Sequence, residues 1–251
     1  KQMLGGMKGA IACKNTRASA ESLGLKGLSD VAHTVCSLFG IVQMSNPLQM
    51  DHFLKTCLGA DPEIPSTRRE MYTFTRDLLD VCCHLITLEE KLFPEMWAVL
   101  CMTQQQCTFT ILKWLSKPLR SEFRFQEESG IAQEDVVVHG GESSVSNAEQ
   151  KELWFSFLTL GLAMLNSDTL DLENSSASRR EYILKQIGDI RVDVCKLVQE
   201  VWDSMGRLKL AMIYRLVEPL LRLADLQHEQ TRALSTDMYF SLLHDEVVHT
   251  N

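Results

Sequence analysis

The sequence predicts an all-α protein, an elongated array of about eight stacked helices interrupted by one long acidic loop. Three observations predict it. Apolar residues return at a 3-4-3-4 spacing, which keeps side chains on one face of a helix with 3.6 residues per turn. No segment sustains the period-two alternation of a half-buried strand, and Val136-Val137-Val138 lies in an acidic stretch where a lone strand has no partner. Composition is that of a folded chain: apolar residues make up 45%, with only six prolines and thirteen glycines.

The first stripe runs Leu28, Val31, Val35, Leu38, Val42. The second runs Met71, Phe74, Leu78, Val81, Leu85, Leu88, Leu92, and the third Trp97, Leu100, Cys107, Ile111, Trp114. Gln104 interrupts the third where an apolar residue is due, so its amide needs a partner. From Leu153 to Leu165 nearly every residue is apolar, which predicts a helix covered on most sides and the centre of the second half. A long helix is predicted from about Arg179 to Met205, with Ile183, Ile187, Ile190, Val194, Leu197 and Val201 on its seam and Val198 and Trp202 widening it. Two shorter helices follow, around Leu216 to Leu226 and Glu229 to Leu243.

Boundary chemistry agrees, because orphan backbone N–H groups at helix starts need side-chain acceptors and helix ends tolerate glycine. Asn46-Pro47 and Phe93-Pro94 read as starts, Thr67 with Glu70 and Ser178 with Glu181 as capping boxes, and Gly206 as a stop after Met205. Pro219 should kink its helix. Such helices can close as a bundle or stack as hairpins, and the all-round apolar segment favours the stack. The organisation is then one continuous solenoid: helical repeats over 1–120, an acidic flexible loop over 121–150, and further helical repeats over 151–251.

A chain that opens on Lys1, with no leader and no run of 18 or so apolar residues, is expected to be a segment of a larger protein that is neither exported nor membrane-spanning. Its eight cysteines sit within apolar helical patterns, as at Cys36, Cys82 and Cys195, and read as buried free thiols of a reducing compartment. The net charge is −8, of which residues 121–150 supply −6, one arginine against seven acids. No basic stripe is available to neutralise phosphates, so nucleic acid is excluded as a partner.

Chemistry-bearing motifs are sparse. Gly5-Gly6 and Gly140-Gly141 lack the lysine and strand of a phosphate-binding loop, and His139-Gly140-Gly141 has no nucleophile elbow to serve. Cys82-Cys83-His84 gathers metal-type ligands, but adjacent helical residues point about 100° apart, and Cys101 and Cys107 fare no better. His244, Asp245, Glu246 and His249 read as a polar helix end. No catalytic, cofactor-binding or metal-binding residue is therefore assigned. Arg68, Arg69, Arg179 and Arg180 stand out because first helical turns favour acids over bases. They read as salt-bridge partners of Glu70, Glu181 or a neighbouring repeat, or else as contacts for an acidic partner or the acidic stretch.

From Leu153 onward the order of features resembles the DOCK family of Rho-type guanine nucleotide exchange factors. The features are Leu153-Trp154, Leu170-Asp171-Leu172-Glu173-Asn174-Ser175-Ser176, Arg180, Ile183-Leu184, Gly188-Asp189-Ile190-Arg191, Val201-Trp202, Gly206, Lys209 and Val217-Glu218-Pro219-Leu220-Leu221. Leu170–Ser176 and Gly188–Arg191 look most like the Rac-directed members, whereas Tyr214 stands where the family often has proline. The resemblance implies an armadillo-like helical region lying between a lipid-binding C2-like domain and a C-terminal catalytic region. It implies a non-catalytic scaffold, cytoplasmic and brought to the plasma membrane by other domains, without inserting itself. The implied partners are neighbouring domains of the same protein, a Rho-family GTPase such as Rac or Cdc42 reached through the parent protein, and an ELMO-type adaptor or a second DOCK chain. The solenoid taken without the resemblance suggests instead an independent armadillo-type peptide-binding adaptor.

Overall fold

The computed structural model describes residues 65–87, 97–123 and 145–250. The first predicted stripe, the Asn46-Pro47 and Phe93-Pro94 starts, Val136–Val138 and His139–Gly141 lie outside these residues, as do Leu88 and Leu92. Within them the architecture is helical, and no strand occurs among the described residues. Helix α1 spans Pro65–Ile86. Helices α2 (Trp97–Met102) and α3 (Thr108–Ser121) form one rod through a π-helical turn, Thr103–Cys107. Then come α4 (Asn147–Leu165), a 3-10 turn Asp168–Leu170, α5 (Ala177–Ile187) and α6 (Ile190–Asp203). A second 3-10 segment, Gly206–Met212, leads into α7 (Ile213–Ala224) and α8 (Glu229–Thr250).

The predicted stripes are the buried ones. Leu78, Val81 and Leu85 of α1 are enclosed, joined by Leu79 and Cys82, while Met71 and Phe74 lie at the margin. α4 is covered as its composition requires, burying ten of its nineteen residues and packing against α1, α3, α6 and α7. Gln104 finds its partner in the last turn of α1, where its Nε2 donates to the carbonyl of Leu85 at 2.8 Å. The π-turn thereby satisfies a helix-end carbonyl that has no intrahelical donor.

Three boundaries differ from the sequence reading. The helix expected over Arg179–Met205 is two helices, because Gly188 takes φ +70° and ψ −168°, a conformation closed to residues with a Cβ. Asp189 then caps α6 by accepting from the Arg191 backbone N–H at 3.2 Å. The cap of α5 is Ser176, not Ser178: starting two residues earlier releases Ser178 into the first turn. Pro65 opens α1, which places Thr67 inside the helix and not at its cap. A complete capping box does occur, at Ser146 and Glu149, inside the stretch that the sequence assigned to the acidic loop.

α4 and α6 approach each other closely at Gly161. A Cβ on Gly161 would come within 2.7 Å of Val198 Cγ2, and a β-branched side chain on a helix has little rotamer freedom with which to retreat. Gly161→Ala is therefore expected to destabilise the fold by about 1–2 kcal/mol despite alanine's better helix propensity. Urea unfolding checks this, and adding Val198→Ala should recover part of the loss.

Candidate functional site

Two polar arrangements grow out of this stack, one closed and one open. The closed one is centred on Arg191. Arg191 sits three, seven and eleven residues before Val194, Val198 and Trp202, so it points into the apolar seam of α6 and its side chain is only 6% exposed. A buried guanidinium must find acceptors for its donors. Its Nε and Nη2 donate to the two oxygens of Asp189 at 2.8 Å each, and its Nη1 donates to Glu173 Oε2 at 2.7 Å and to the Leu170 carbonyl at 3.3 Å. His228, the residue before α8, brings Nε2 to 3.6 Å from Asp189 and shares a hydrogen bond with Thr231 through Nδ1. One arginine thus ties the loop after α4, the start of α6 and the start of α8.

Electrostatics follow the geometry. Hydrogen bonds from Arg191 hold the Asp189 and Glu173 carboxyls below their ordinary range. Partial burial opposes the charge on Arg191, but the two carboxylates outweigh it and raise its pKa further. His228 is lowered by burial and then by the nearby Arg191 charge.

The open arrangement is a groove of about 1320 Å3. One wall is the end of α1 with Trp97 and Arg179, the floor is Ser167 to Ser176 of the loop after α4, and the other wall is α7 with Arg215, Glu218 and Arg222. Its floor is braced from below. Gln105, buried in the π-turn, donates to Thr169, and Asn166 donates across to the Pro219 carbonyl at 3.3 Å. The floor also organises itself: Asn174 donates to the Asp171 side chain and Ser175 to the Asp171 carbonyl, each at 2.8 Å. At the rim Arg179 stacks on Trp97, 5.0 Å from its ring centroid, and Trp97 meets Tyr182 edge-on at 5.5 Å. Two of the stretches that carry the family resemblance, Leu170–Ser176 and Val217–Leu221, therefore meet in this groove.

The four singled-out arginines divide. Arg69 Nη1 bridges both oxygens of Glu149 at 2.6 and 2.7 Å, and Arg68 donates to the Glu122 carbonyl at 2.8 Å while lying over Phe123. They hold the two ends of the acidic stretch. Arg179 lines the groove and Arg180 is exposed on α5. The first pair lies on α1 and the second on α5, and of the four only Arg179 lines the groove.

No Cys or His lines the groove. Burial pushes the Cys82 thiol well up and the Cys83 thiol to about 11, far from the thiolate that a nucleophile or a metal ligand requires. Among the described residues no cluster of three or more His, Cys, Asp or Glu is placed to hold a metal ion, and no helix is long and apolar enough to cross a membrane. The sequence reading did not foresee the Arg191 cluster as a unit, although a lone arginine on an apolar seam beside Asp189 was a legible signal.

Residues 143–251 match the family model of the dedicator of cytokinesis (DOCK) TPR region, so that segment is similar to the DOCK family. Dedicator of cytokinesis protein 4 of Mus musculus and of Homo sapiens are each 22% identical to it over 178 residues. Dedicator of cytokinesis protein 3 of the mouse is 21% identical over 167 residues. The alignments cover 71% and 66% of this chain but only 8% and 7% of those relatives' length. No solved structure matches. The family model describes as TPR, hairpins of two helices, what the resemblance implied to be armadillo-like.

Removing the arginine strands two carboxylates, so Arg191→Met should cost roughly 2–4 kcal/mol in denaturant unfolding. The sign of the pH dependence is fixed by the lowered carboxyls. Their stabilisation is present above the unfolded carboxylate pKa and is lost as pH falls through the folded values. His228, also lowered, adds a loss that begins as pH drops below 6.5. Stability of the native chain should therefore fall with acidification, and Arg191→Met should flatten the carboxylate part of that slope.

Proposed function

We propose that this chain is a non-catalytic spacer of a DOCK-type guanine nucleotide exchange factor directed at Rac or Cdc42. The observation that carries the reading is the coincidence of the family match, residues 143–251, with the uninterrupted helical stack from α4 to α8. A stack whose helices are buried on several sides resists bending, because each helix would have to give up apolar contacts on two neighbours at once. Such an element sets the distance and orientation of the lipid-binding and exchange domains in the parent protein, which acts in the cytoplasm and reaches the plasma membrane through those domains.

The surfaces it offers are polar. Arg179, Arg215 and Arg222 line the groove together with Asp168, Asp171 and Glu218, so its charges balance and favour a protein segment of mixed charge over a polyanion. Neighbouring domains of the same protein, an ELMO-type adaptor or a second DOCK chain are the partners this reading supplies, and Arg180 with the groove rim is where they would touch.

The reading is tested by adding the purified chain to Rac or Cdc42 loaded with a fluorescent nucleotide. Release should proceed at the intrinsic rate at every concentration of chain. Acceleration that saturates with added chain would overturn the spacer assignment.

A further inference from the structure

Every described helix but one contributes buried side chains to a single continuous core, and the exception is α5. Of its eleven residues Ile183 alone is buried, and it packs with Cys101, Leu172 and Ile187 in a small cluster of their own. Beyond that cluster α5 is held by the start of α2: Arg179 lies over the Trp97 ring, Tyr182 meets its edge, and Tyr182 Oη donates to Met102 Sδ at 3.9 Å. A helix of this length with so little burial is marginal, because helices that short do not persist in water without tertiary packing. α5 is therefore the weakest-held element of the second half.

Its two ends, by contrast, are fixed, and at one point. Arg191 grips Leu170 and Glu173 before α5 and Asp189 after it, so residues 174–188 leave the stack and rejoin it at a single guanidinium. Gly188, directly after α5, takes φ +70°, and a Cβ there would meet nothing within 4 Å, so the glycine serves the turn and not a close approach. We propose that α5 is a hinged strap, which lifts off Trp97 and Cys101 as a unit while Arg191 keeps its feet and the rest of the stack stays folded. Closed, the strap supplies Arg179 to one wall of the groove; open, it bares Trp97 and widens that wall. Simple fraying would start at a helix end, but the ends of α5 are capped by Ser176 and Gly188, and the hold that must be released is in the middle, at Ile183. That the strap governs what the groove accepts rests on the reading of the groove as a contact surface.

Native-state hydrogen exchange read by mass spectrometry tests the strap in the 251-residue chain. Amides of α5 should exchange about a hundredfold or more faster than those of α4 and α6, through an opening that exposes little surface and so responds weakly to denaturant. Ile183→Ala should speed α5 exchange about tenfold or more again and raise hydroxyl-radical oxidation of Trp97 several-fold, with Trp154 and Trp202 unchanged. Residues 170–173 and α6 should keep their protection in that variant, because Arg191 still holds the feet, and should lose it in Arg191→Met. Exchange of α5 in step with α4 and α6 at every denaturant concentration overturns the proposal. So does an Ile183→Ala chain in which α4 and α6 loosen together with α5. Nucleotide release enters none of these readouts, so failure of the spacer reading and failure of the strap give different results.

Discussion

A helix that is apolar nearly all round has no side to offer to water, and α4 is such a helix. Its burial against α1, α3, α6 and α7 obliges those helices to arrive from different directions, so the stack is organised around it and not laid down in chain order. Two placements outside the helices depend on the same constraint. Trp154, fully enclosed, donates its indole N–H to the Phe123 carbonyl at 2.8 Å and so fixes where the chain leaves α3. Gly161 allows α6 close enough for Val198 to touch the α4 backbone region, and Val198 and Trp202 then complete the interior.

Elements read from periodicity were placed well, because the period of apolar residues reports burial directly. Leu78, Val81 and Leu85, then Ile111 and Trp114, then Val194, Leu197 and Val201 are all enclosed as their spacing demands. Boundaries were less legible. Periodicity runs straight across Gly188, since Ile183 and Ile187 keep step with Ile190 and Val194, and only the backbone conformation at one glycine breaks the helix. Caps were misplaced for a related reason: serines at 176 and 178 are both acceptable acceptors, and the structure places the cap at Ser176.

The site was legible in part. Leu170–Ser176 and Gly188–Arg191 were visible as stretches, but their relation was not, because hydrogen bonds between residues eighteen or more apart leave no periodic trace. With the structure in hand, the two stretches have one shared task. Arg191 reaches back to Glu173 and Leu170 and holds the outer part of the same loop whose other side floors the groove. A buried ion cluster thereby sets the shape of a solvent-facing surface. The family match over residues 143–251 spans the clamp and most of the groove lining, while Ile86, Thr87 and Trp97 of the groove lie outside it.

The arginine pair at the start of α1 gives the acidic stretch an unusual mechanical status. Arg68 holds the chain at Glu122 and Arg69 holds it at Glu149, so the stretch leaves and rejoins the stack within a single turn of one helix. Both ends of the stretch are therefore fixed by one rigid element. Residues can be gained or lost between those feet over evolutionary time, or a reporter domain grafted there, while the register of the helices on either side stays as it is.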